Sequence, residues 1–158
     1  MDLFQQHAAG ISAIVAAFAF CVSAGTFVFS AVQYKQANTL RRFEKYYDMS
    51  KRFDDNETVQ EVIGLLRASE SEKLRQLALS KKETFICFIE DVAVMQNSGL
   101  INPALAAYTF GYYVQTCLQN NDFWAGLNRD DPFFKTFREF ATNVEGRIAL
   151  VHGRDIRV

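Results

Sequence analysis

Residues 3–34 read LFQQHAAGISAIVAAFAFCVSAGTFVFSAVQY and contain no Asp, Glu, Lys or Arg. Within this stretch, residues 8–32 are almost wholly apolar or small. A helix of that length measures roughly 37 Å, whereas the hydrocarbon core of a bilayer is about 30 Å thick. The pattern therefore predicts one transmembrane helix over residues 8–32, after a short N-terminal extension over residues 1–7.

The charged side chains that follow this stretch closely are mostly basic: Lys35, Arg41, Arg42 and Lys45. Before it, the titratable side chains are Asp2 and His7. Because basic residues stay on the cytoplasmic side of a membrane, the N-terminus is expected outside and the C-terminal part in the cytoplasm. Lys35, Arg41 and Arg42 are candidates for contact with anionic headgroups, the alternative being a solvated basic face.

A cleavable secretory signal is the alternative to an anchor. Val22, Ser23 and Ala24 resemble a cleavage site. However, no basic segment precedes the apolar stretch, and its length exceeds that of a usual signal core. An uncleaved anchor is the favoured interpretation.

Small side chains recur every fourth residue along the predicted span, at Ala9, Ala13, Ala17, Cys21 and Gly25. On a helix they would form one flat ridge, and such ridges let two spanning helices approach closely. The alternative is a chance run in a segment rich in small residues. The ridge is a candidate surface for helix–helix packing in the membrane.

The rest of the chain offers little sign of catalysis or of metal binding. From Gln33 onward it holds 17 basic and 17 acidic residues, a neutral balance that gives no reason to expect nucleic acid as a partner. The two histidines are expected on opposite sides of the membrane, and the three cysteines are not paired in a metal-binding motif. No phosphate-binding glycine loop or nucleophile motif occurs. We therefore predict no cofactor, metal or catalytic site.

The segment directly after the predicted span is expected to be one unbroken helix. No Pro or Gly occurs between Gly25 and Gly64, so a juxtamembrane helix over residues 33–54 is expected to continue the span. One apolar stripe with a polar member is predicted to face the protein, at Leu40, Phe43, Tyr47, Ser50 and Phe53. A helical bundle over residues 55–146 and an irregular tail over residues 147–158 follow. The fold class is all-α, with one N-terminal transmembrane helix continuing into a four- to five-helix cytoplasmic bundle.

Local signals place the helix ends in the bundle. Capping boxes are predicted at Asp54 with Glu57 and at Ser80 with Glu83, with a polar linker over residues 68–79. The predicted helices run over residues 81–97, stopped by Gly99, then 103–119 after Asn102, and 132–145 after Asp131. In the last helix a buried stripe is predicted at Phe133, Phe137, Phe140, Ala141 and Val144. Residues 92–121 lack charge, but the helix inside them is too short and too polar for a second span, so a buried core helix is favoured.

Glu90 and Asp91 are the best candidates for a polar site, because they interrupt an apolar helix. Adjacent helical residues point about 100° apart, so they cannot form a catalytic carboxylate pair by themselves. A buried ion pair with an Arg or Lys of a neighbouring helix is the simpler interpretation. A pocket around them would be the basis of an enzymatic alternative.

Four aromatic residues are candidates for lining a pocket: Tyr108, Tyr112, Tyr113 and Trp124. The alternative is that they pack in the core, which is the commoner fate of aromatic residues at helical spacing.

The order of parts resembles that of small bacterial and prophage membrane proteins of unassigned function, which have one span, a long connecting helix and an aromatic-rich helical domain. The residues that carry the resemblance are those at 42–53, 88–93, 99–101 and 111–113, and Trp124. Some similar proteins look like membrane effectors or accessory subunits of anti-phage systems. The resemblance implies a bacterial inner (plasma) membrane setting and transfers no catalytic residue.

Three functional hypotheses follow. The first is a membrane-anchored protein-interaction module, an effector or regulatory subunit, that acts by binding a protein partner or by forming homo-oligomers. The second is a structural accessory subunit of a larger membrane complex. The third is an enzyme with a pocket near Glu90 and Asp91. Membrane lipid is an expected partner in the first two.

Overall fold

A computed structural model describes the backbone of residues 2–151 and the side chains of residues 18–147. Within those bounds every regular element is a helix and no strand occurs, which confirms the all-α prediction. The helices are α1 (Asp2–Asp55), α2 (Glu57–Arg67), α3 (Ser71–Gln76), α4 (Leu79–Asn97), α5 (Pro103–Gln119) and α6 (Lys135–Val151), with a 3₁₀ turn at Pro132–Phe134. The chain divides into two compact units, Met1–Leu40 and Arg41–Val158.

The first unit is a helical segment whose large apolar side chains are exposed. Phe18, Phe20 and Phe27 are between 72% and 76% exposed. Val22, Val28, Phe29, Val32 and Tyr34 are exposed as well. No helix in the described part of the chain is both long enough and apolar enough to cross a bilayer, so the structure does not support the predicted span over residues 8–32. The side chains of residues 8–17 lie outside the described part.

The second unit is a helical bundle with an aromatic core. α5 packs most extensively against α6, α2 packs against α4, and α4 also packs against α6. α5 buries Ala106, Phe110, Val114 and Cys117, so it is a core helix as the sequence predicts. Each buried aromatic ring removes some 150–250 Å² from water, so these rings account for much of the apolar burial.

The C-terminal part of α1 packs on the bundle through a face slightly different from the predicted one. Met49 and Phe53 are buried, and Tyr46 is half-buried beside them. Phe43 and Tyr47, two members of the predicted stripe, are 49% and 61% exposed. The contact face is therefore rotated relative to the predicted stripe, and it leaves an exposed aromatic edge.

The helix start predicted at Pro103 is confirmed, whereas Asp131 caps a 3₁₀ turn and the α-helix after it begins at Lys135. Asn102 accepts a hydrogen bond from the Ala104 N–H, and Asp131 accepts one from the Phe133 N–H. Gly99 follows the end of α4 with a φ of +74°, the left-handed conformation that a helix stop needs.

Both predicted capping boxes are wrong. The cap of α2 is Asn56, whose side chain accepts from the Val59 N–H, rather than Asp54. α4 begins two residues before Lys81, and its cap, Ala78, offers no side-chain acceptor. The predicted polar linker contains α3, so a short helix interrupts it.

The last helix differs from the prediction at both ends. A 3₁₀ turn precedes it, and this turn buries Phe134 and leaves Phe133 67% exposed, although the sequence pattern placed Phe133 in the core. The other members of that stripe, Phe137, Phe140, Ala141 and Val144, are buried. α6 also runs on to Val151, into the region predicted as irregular.

Candidate functional site

Glu90 and Asp91 lie side by side on α4 but serve different contacts. Glu90 is half-buried, and its Oε1 accepts a hydrogen bond of 3.2 Å from the Phe137 N–H in the first turn of α6. Asp91 is exposed and lies 3.7 Å from the Arg52 guanidinium of α1. The two carboxylates therefore act on different neighbouring helices, and they do not share a site.

The position of Glu90 changes its acidity. Burial raises the pKa of its carboxyl, and Asp91 adds to the rise, while the hydrogen bond from Phe137 opposes it. A carboxylate at the first turn of a helix also meets the positive end of the helix dipole. Glu90 thus caps the first turn of α6 from a neighbouring helix. Its hydrogen-bond partner is a backbone N–H, whereas the sequence predicted an Arg or Lys side chain.

Asp91 has the kind of partner that the sequence predicted, an arginine of a neighbouring helix, but the pair is exposed rather than buried. The Arg52 guanidinium that faces it also lies 6.0 Å from the centre of the Phe88 ring. Both members of the ion pair are more than half exposed, so the pair contributes little to stability. The ion pair orients α1 so that the side carrying Arg52 faces α4.

The four predicted pocket aromatics do not share a pocket in the described part of the chain. Tyr108 and Tyr112 are 66% and 61% exposed, whereas Trp124 is buried. The Trp124 Nε1–H donates to the Cys117 carbonyl at 3.0 Å. Trp124 packs inside the bundle, as the core alternative expects, whereas the two tyrosines face outward.

Tyr113 joins α1, α2 and α5. Its ring centre lies 5.6 Å from that of Phe53, and the Arg67 guanidinium of α2 lies 5.0 Å from the ring and donates to the Tyr113 hydroxyl. These contacts serve the packing of helices, since each of them joins two different elements.

The predicted headgroup-contact residues differ in their surroundings. Lys35 and Arg41 are exposed. Arg42 is exposed too, but its Nε–H donates to the Gly99 carbonyl at 2.6 Å, so it holds α1 against the turn that follows α4. Arg42 therefore has a structural contact that its sequence position did not reveal.

Only part of the predicted small-residue ridge can be placed. Ala9, Ala13 and Ala17 have side chains outside the described residues. Cys21 is exposed, and a Cβ added at Gly25 would meet no other group within 4 Å. This part of the ridge is open to contact by another molecule.

Sequence reasoning missed Lys82, whose side chain is wholly buried. Its ammonium donates to the Ala125 carbonyl at 2.8 Å and to the Arg75 carbonyl at 3.4 Å. Desolvation lowers the pKa of Lys82, and the negative charge of Asp122 partly opposes this. Its position along the helix could have predicted this burial, because Lys82 lies on the same face of α4 as Phe85, Ile86 and Ile89.

An ion pair supports the loop that Lys82 holds. Arg75 and Asp122 approach to 2.7 Å, and the hydrogen bond from Arg75 lowers the pKa of the Asp122 carboxyl. Gly126, which follows Phe123 and Trp124 in the loop, has a φ of +86°, and a Cβ there would come within 2.9 Å of Leu79 Cδ2. Together these groups fix the 120–127 loop onto α3 and α4.

An open cleft of about 530 Å³ separates α1 from the end of α4. It is lined by Lys45, Asp48, Met49, Lys51, Arg52, Asp55, Asn56 and Met95. The charges are of both signs, and no group of three or more metal-binding side chains occurs in the described part of the chain. The arrangement offers no set of convergent groups for a defined small molecule.

Comparisons of this protein with protein families, curated proteins and solved structures find no match. The functional argument therefore rests on the residues and their geometry.

Proposed function

We propose that this protein is a membrane-anchored helical interaction module that acts through protein partners or through copies of itself. The observation that carries the proposal is the exposure of apolar side chains in the first unit. Its helical residues 18–34 expose every large apolar side chain they have, within a stretch that holds no charge from residue 3 to residue 34. Such a surface requires a cover other than water, because exposed apolar area is costly.

The polar side chains in this segment are compatible with lipid as the cover. The Ser23 hydroxyl donates to the Ala19 carbonyl at 2.8 Å, and the Thr26 hydroxyl donates to the Val22 carbonyl at 2.7 Å. Threonines of the other helices make the same bond, so it does not select lipid, but it leaves neither hydroxyl without a partner in hydrocarbon.

The proposed anchor includes residues before residue 18, where the described side chains begin, as well as residues after it. Residues 18–32 alone are shorter than the roughly 20 apolar residues that a span needs. The apolar sequence of residues 8–17 supplies the remaining length. The basic residues that follow set the proposed orientation, with the C-terminal unit in the cytoplasm.

Charge substitutions in the apolar stretch test the anchor. In the full chain, Phe20→Lys with Ala24→Lys places two cations near the middle of the proposed span, at a cost of about 2.5–3.5 kcal/mol each. We expect the unaltered protein to stay in the membrane pellet after carbonate washing and the variant to leave it.

The matched control is Gln36→Lys with Thr39→Lys, which adds the same charge beyond the stretch and should leave the protein in the pellet. An unaltered protein that is recovered intact in the carbonate supernatant would contradict the anchor.

Self-association is the second part of the proposal, and Cys21 reports on it directly. In a Cys87→Ser background, Cys21 is the one exposed thiol among residues 18–147. If the ridge packs against a second copy, mild oxidation in membranes should give a disulfide-linked dimer. Ala17→Leu with Gly25→Leu should reduce its yield, because larger side chains keep the helices apart.

The control for crosslinking is Cys21→Ser in the same background, which should give no dimer. Equal dimer yields with and without the leucine substitutions would rule out packing through the ridge, while anchoring would stand.

The resemblance to proteins of anti-phage systems gives this proposal a biological setting. In an effector form of the proposal, assembly of the anchors disturbs the bilayer. Induced expression with a potential-sensitive dye tests this form, which fails if membrane potential stays unchanged during phage infection. A structural accessory role predicts instead that the protein purifies in mild detergent with a fixed set of partners and leaves the potential unaffected.

A further inference from the structure

α5 differs from the other α-helices that the structure describes, because it carries no charged side chain. Its sequence contains no Asp, Glu, Lys or Arg, whereas each of the other described α-helices contains both acidic and basic residues. α5 nevertheless has an outer face, on which Tyr108 and Tyr112 are 66% and 61% exposed. The outer face of a helix usually carries charge, so an uncharged face with two aromatic rings indicates a contact surface.

This surface belongs to one helix, so helical geometry alone places its members together. Tyr108, Tyr112 and Thr116 follow one another at intervals of four residues, which puts them in one row along α5. The other side of the helix is buried in the bundle, with Phe110 and Val114 in the core. We call Tyr108, Tyr112 and Thr116 the α5 outer row.

The Tyr112 ring is oriented by its neighbours within the protein. Its centre lies 5.4 Å from that of Tyr113, with the two rings edge to face. Tyr113 is held in turn by Arg67 of α2, which donates a hydrogen bond to its hydroxyl. An aromatic ring whose orientation is already fixed loses less conformational entropy on binding, so Tyr112 is suited to anchor an interface.

The chemistry of the α5 outer row matches a second copy of itself. In a two-fold dimer the same groups meet each other, so a charge near the axis would face a like charge, and the row has none. Tyrosine and threonine hydroxyls both donate and accept hydrogen bonds, so each can pair with its own counterpart, whereas an ammonium only donates and a carboxylate only accepts. Tyrosine is also enriched in the buried centre of protein interfaces.

The area of the row limits the strength of such a contact. The exposed parts of the two tyrosine rings amount to about 200–300 Å² per copy, whereas a stable interface buries about 800 Å² per partner. The contact would therefore be weak between freely diffusing proteins. Confinement to a membrane raises the local concentration of the protein, which makes a weak contact effective.

We propose that two copies of this protein pack α5 against α5 through Tyr108 and Tyr112, across a two-fold axis. The inference rests on the proposed function, since it specifies a surface for the self-association and uses the anchor to concentrate the protein. It gives the helical bundle a contact of its own, separate from the small-residue ridge of the first unit.

Photo-crosslinking of the full chain in phosphatidylcholine vesicles tests the proposal. A benzophenone maleimide is attached at Thr116→Cys in a Cys21→Ser, Cys87→Ser background, which leaves both tyrosines intact. The matched control carries the same probe on the native Cys87, which is exposed on α4, in the Cys21→Ser protein. We expect illumination to give several-fold more covalent dimer from the Thr116→Cys probe than from the control.

Exchange of charge tests whether the two copies meet through the tyrosines. Tyr108→Lys with Tyr112→Lys, and separately Tyr108→Glu with Tyr112→Glu, should each lower the dimer yield of the Thr116→Cys probe several-fold, because like charges then face each other. An equal mixture of the two proteins should restore the yield, since opposite charges meet. Unchanged Trp124 fluorescence would show that each variant still folds.

Several outcomes would overturn the inference. Equal dimer yields from the two probes, or yields that the charge substitutions leave unaltered, would mean that self-association does not use α5. Adducts with lipid in place of dimer would mean that lipid covers the row. If the mixture restores nothing, the tyrosines of the two copies do not face each other.

Flotation of the vesicles separates this inference from the anchoring. If the protein floats and gives no dimer through α5, the anchoring stands and the α5 contact is wrong. If the protein does not float but still gives the charge-dependent dimer, the anchoring is wrong and the α5 contact stands. Loss of both flotation and dimer would contradict both.

Discussion

Lys82 shows how one residue can connect several elements. It enters the core from α4, and its ammonium reaches carbonyls of α3 and of the loop that carries Trp124. A buried ammonium without hydrogen bonds would be costly, so these carbonyls make the burial tolerable. Its long stem fills space that an apolar side chain would otherwise occupy.

Replacing Lys82 by alanine should lower the free energy of unfolding by about 2–4 kcal/mol, since packing is lost and two carbonyls lose their donor. Urea unfolding followed by the fluorescence of Trp124, the one tryptophan, measures this change. The neighbouring Lys81→Ala removes only a partly exposed ion pair with Glu61 and should cost less than about 1 kcal/mol. Equal costs for the two variants would mean that Lys82 has no special role.

Glu90 should make stability depend on pH. Its pKa is raised in the folded protein, so the folded state binds the proton more tightly than the unfolded state. The stabilisation is fully present below the ordinary glutamate pKa and is lost as pH rises through the higher folded value. The unaltered protein should therefore lose stability relative to Glu90→Gln as pH increases through this window.

Urea midpoints of both proteins at several pH values from mildly acidic to neutral measure that difference. Glu90→Ala separates titration from capping, because it also removes the acceptor for the Phe137 N–H and should be less stable than Glu90→Gln at every pH. A difference between the unaltered protein and Glu90→Gln that stays constant with pH would contradict the assignment.

At the scale of elements, the C-terminal part of α1 shows why a hydrophobic stripe is an ambiguous guide. Apolar and aromatic residues occupy more than one face of this helix, so periodicity alone admits two neighbouring contact faces. The hydrogen bond of Arg42 to Gly99 and that of Tyr46 to Thr109 select one of them. Polar contacts thus set the rotation of an otherwise apolar helix.

The chosen face can be checked by matched truncations on α1. Phe53→Ala should lower the free energy of unfolding by about 3–5 kcal/mol, because Phe53 is buried against Phe88, Phe110 and Tyr113. Tyr47→Ala, on the exposed edge, should change it by about 0.5 kcal/mol or less. Urea unfolding in detergent measures both, and similar losses would contradict the observed rotation.

At the scale of the whole molecule, the two units distribute apolar side chains in opposite ways. The second unit buries its phenylalanines, with a few exceptions that include Phe133. The first unit exposes Phe18, Phe20 and Phe27, so its stability depends on what surrounds it. This contrast is the observation behind the proposal that the first unit is a membrane anchor.

Hydrogen exchange of the full chain should reveal this contrast. Backbone amides of residues 18–32 should exchange far more slowly in lipid nanodiscs than in mild detergent if hydrocarbon excludes water from them. Amides in the core of α4 should exchange at similar rates in both media and serve as the internal control. Equal exchange of the first segment in both media would argue against a lipid cover.

The sequence by itself determined the helical class, the core role of α5, the start of α5 after Asn102 and the capped turn after Asp131. These depend on local rules, since proline fixes the backbone and a short polar side chain caps the first turn. It missed the cap at Asn56, because several polar residues compete as caps within one turn and packing selects among them. It also missed the start of α4 at Leu79, because no side chain caps that end.

Tertiary structure decided the partners of the polar residues. Local sequence placed Glu90, Asp91 and Lys82 on α4, but only the packing of α6, α1 and the 120–127 loop gave them a backbone N–H, an arginine and two carbonyls. The same packing separated Trp124 from the exposed tyrosines. Which groups meet across a bundle depends on helix rotation and on distant loops, and these are set by the sum of many contacts along the chain.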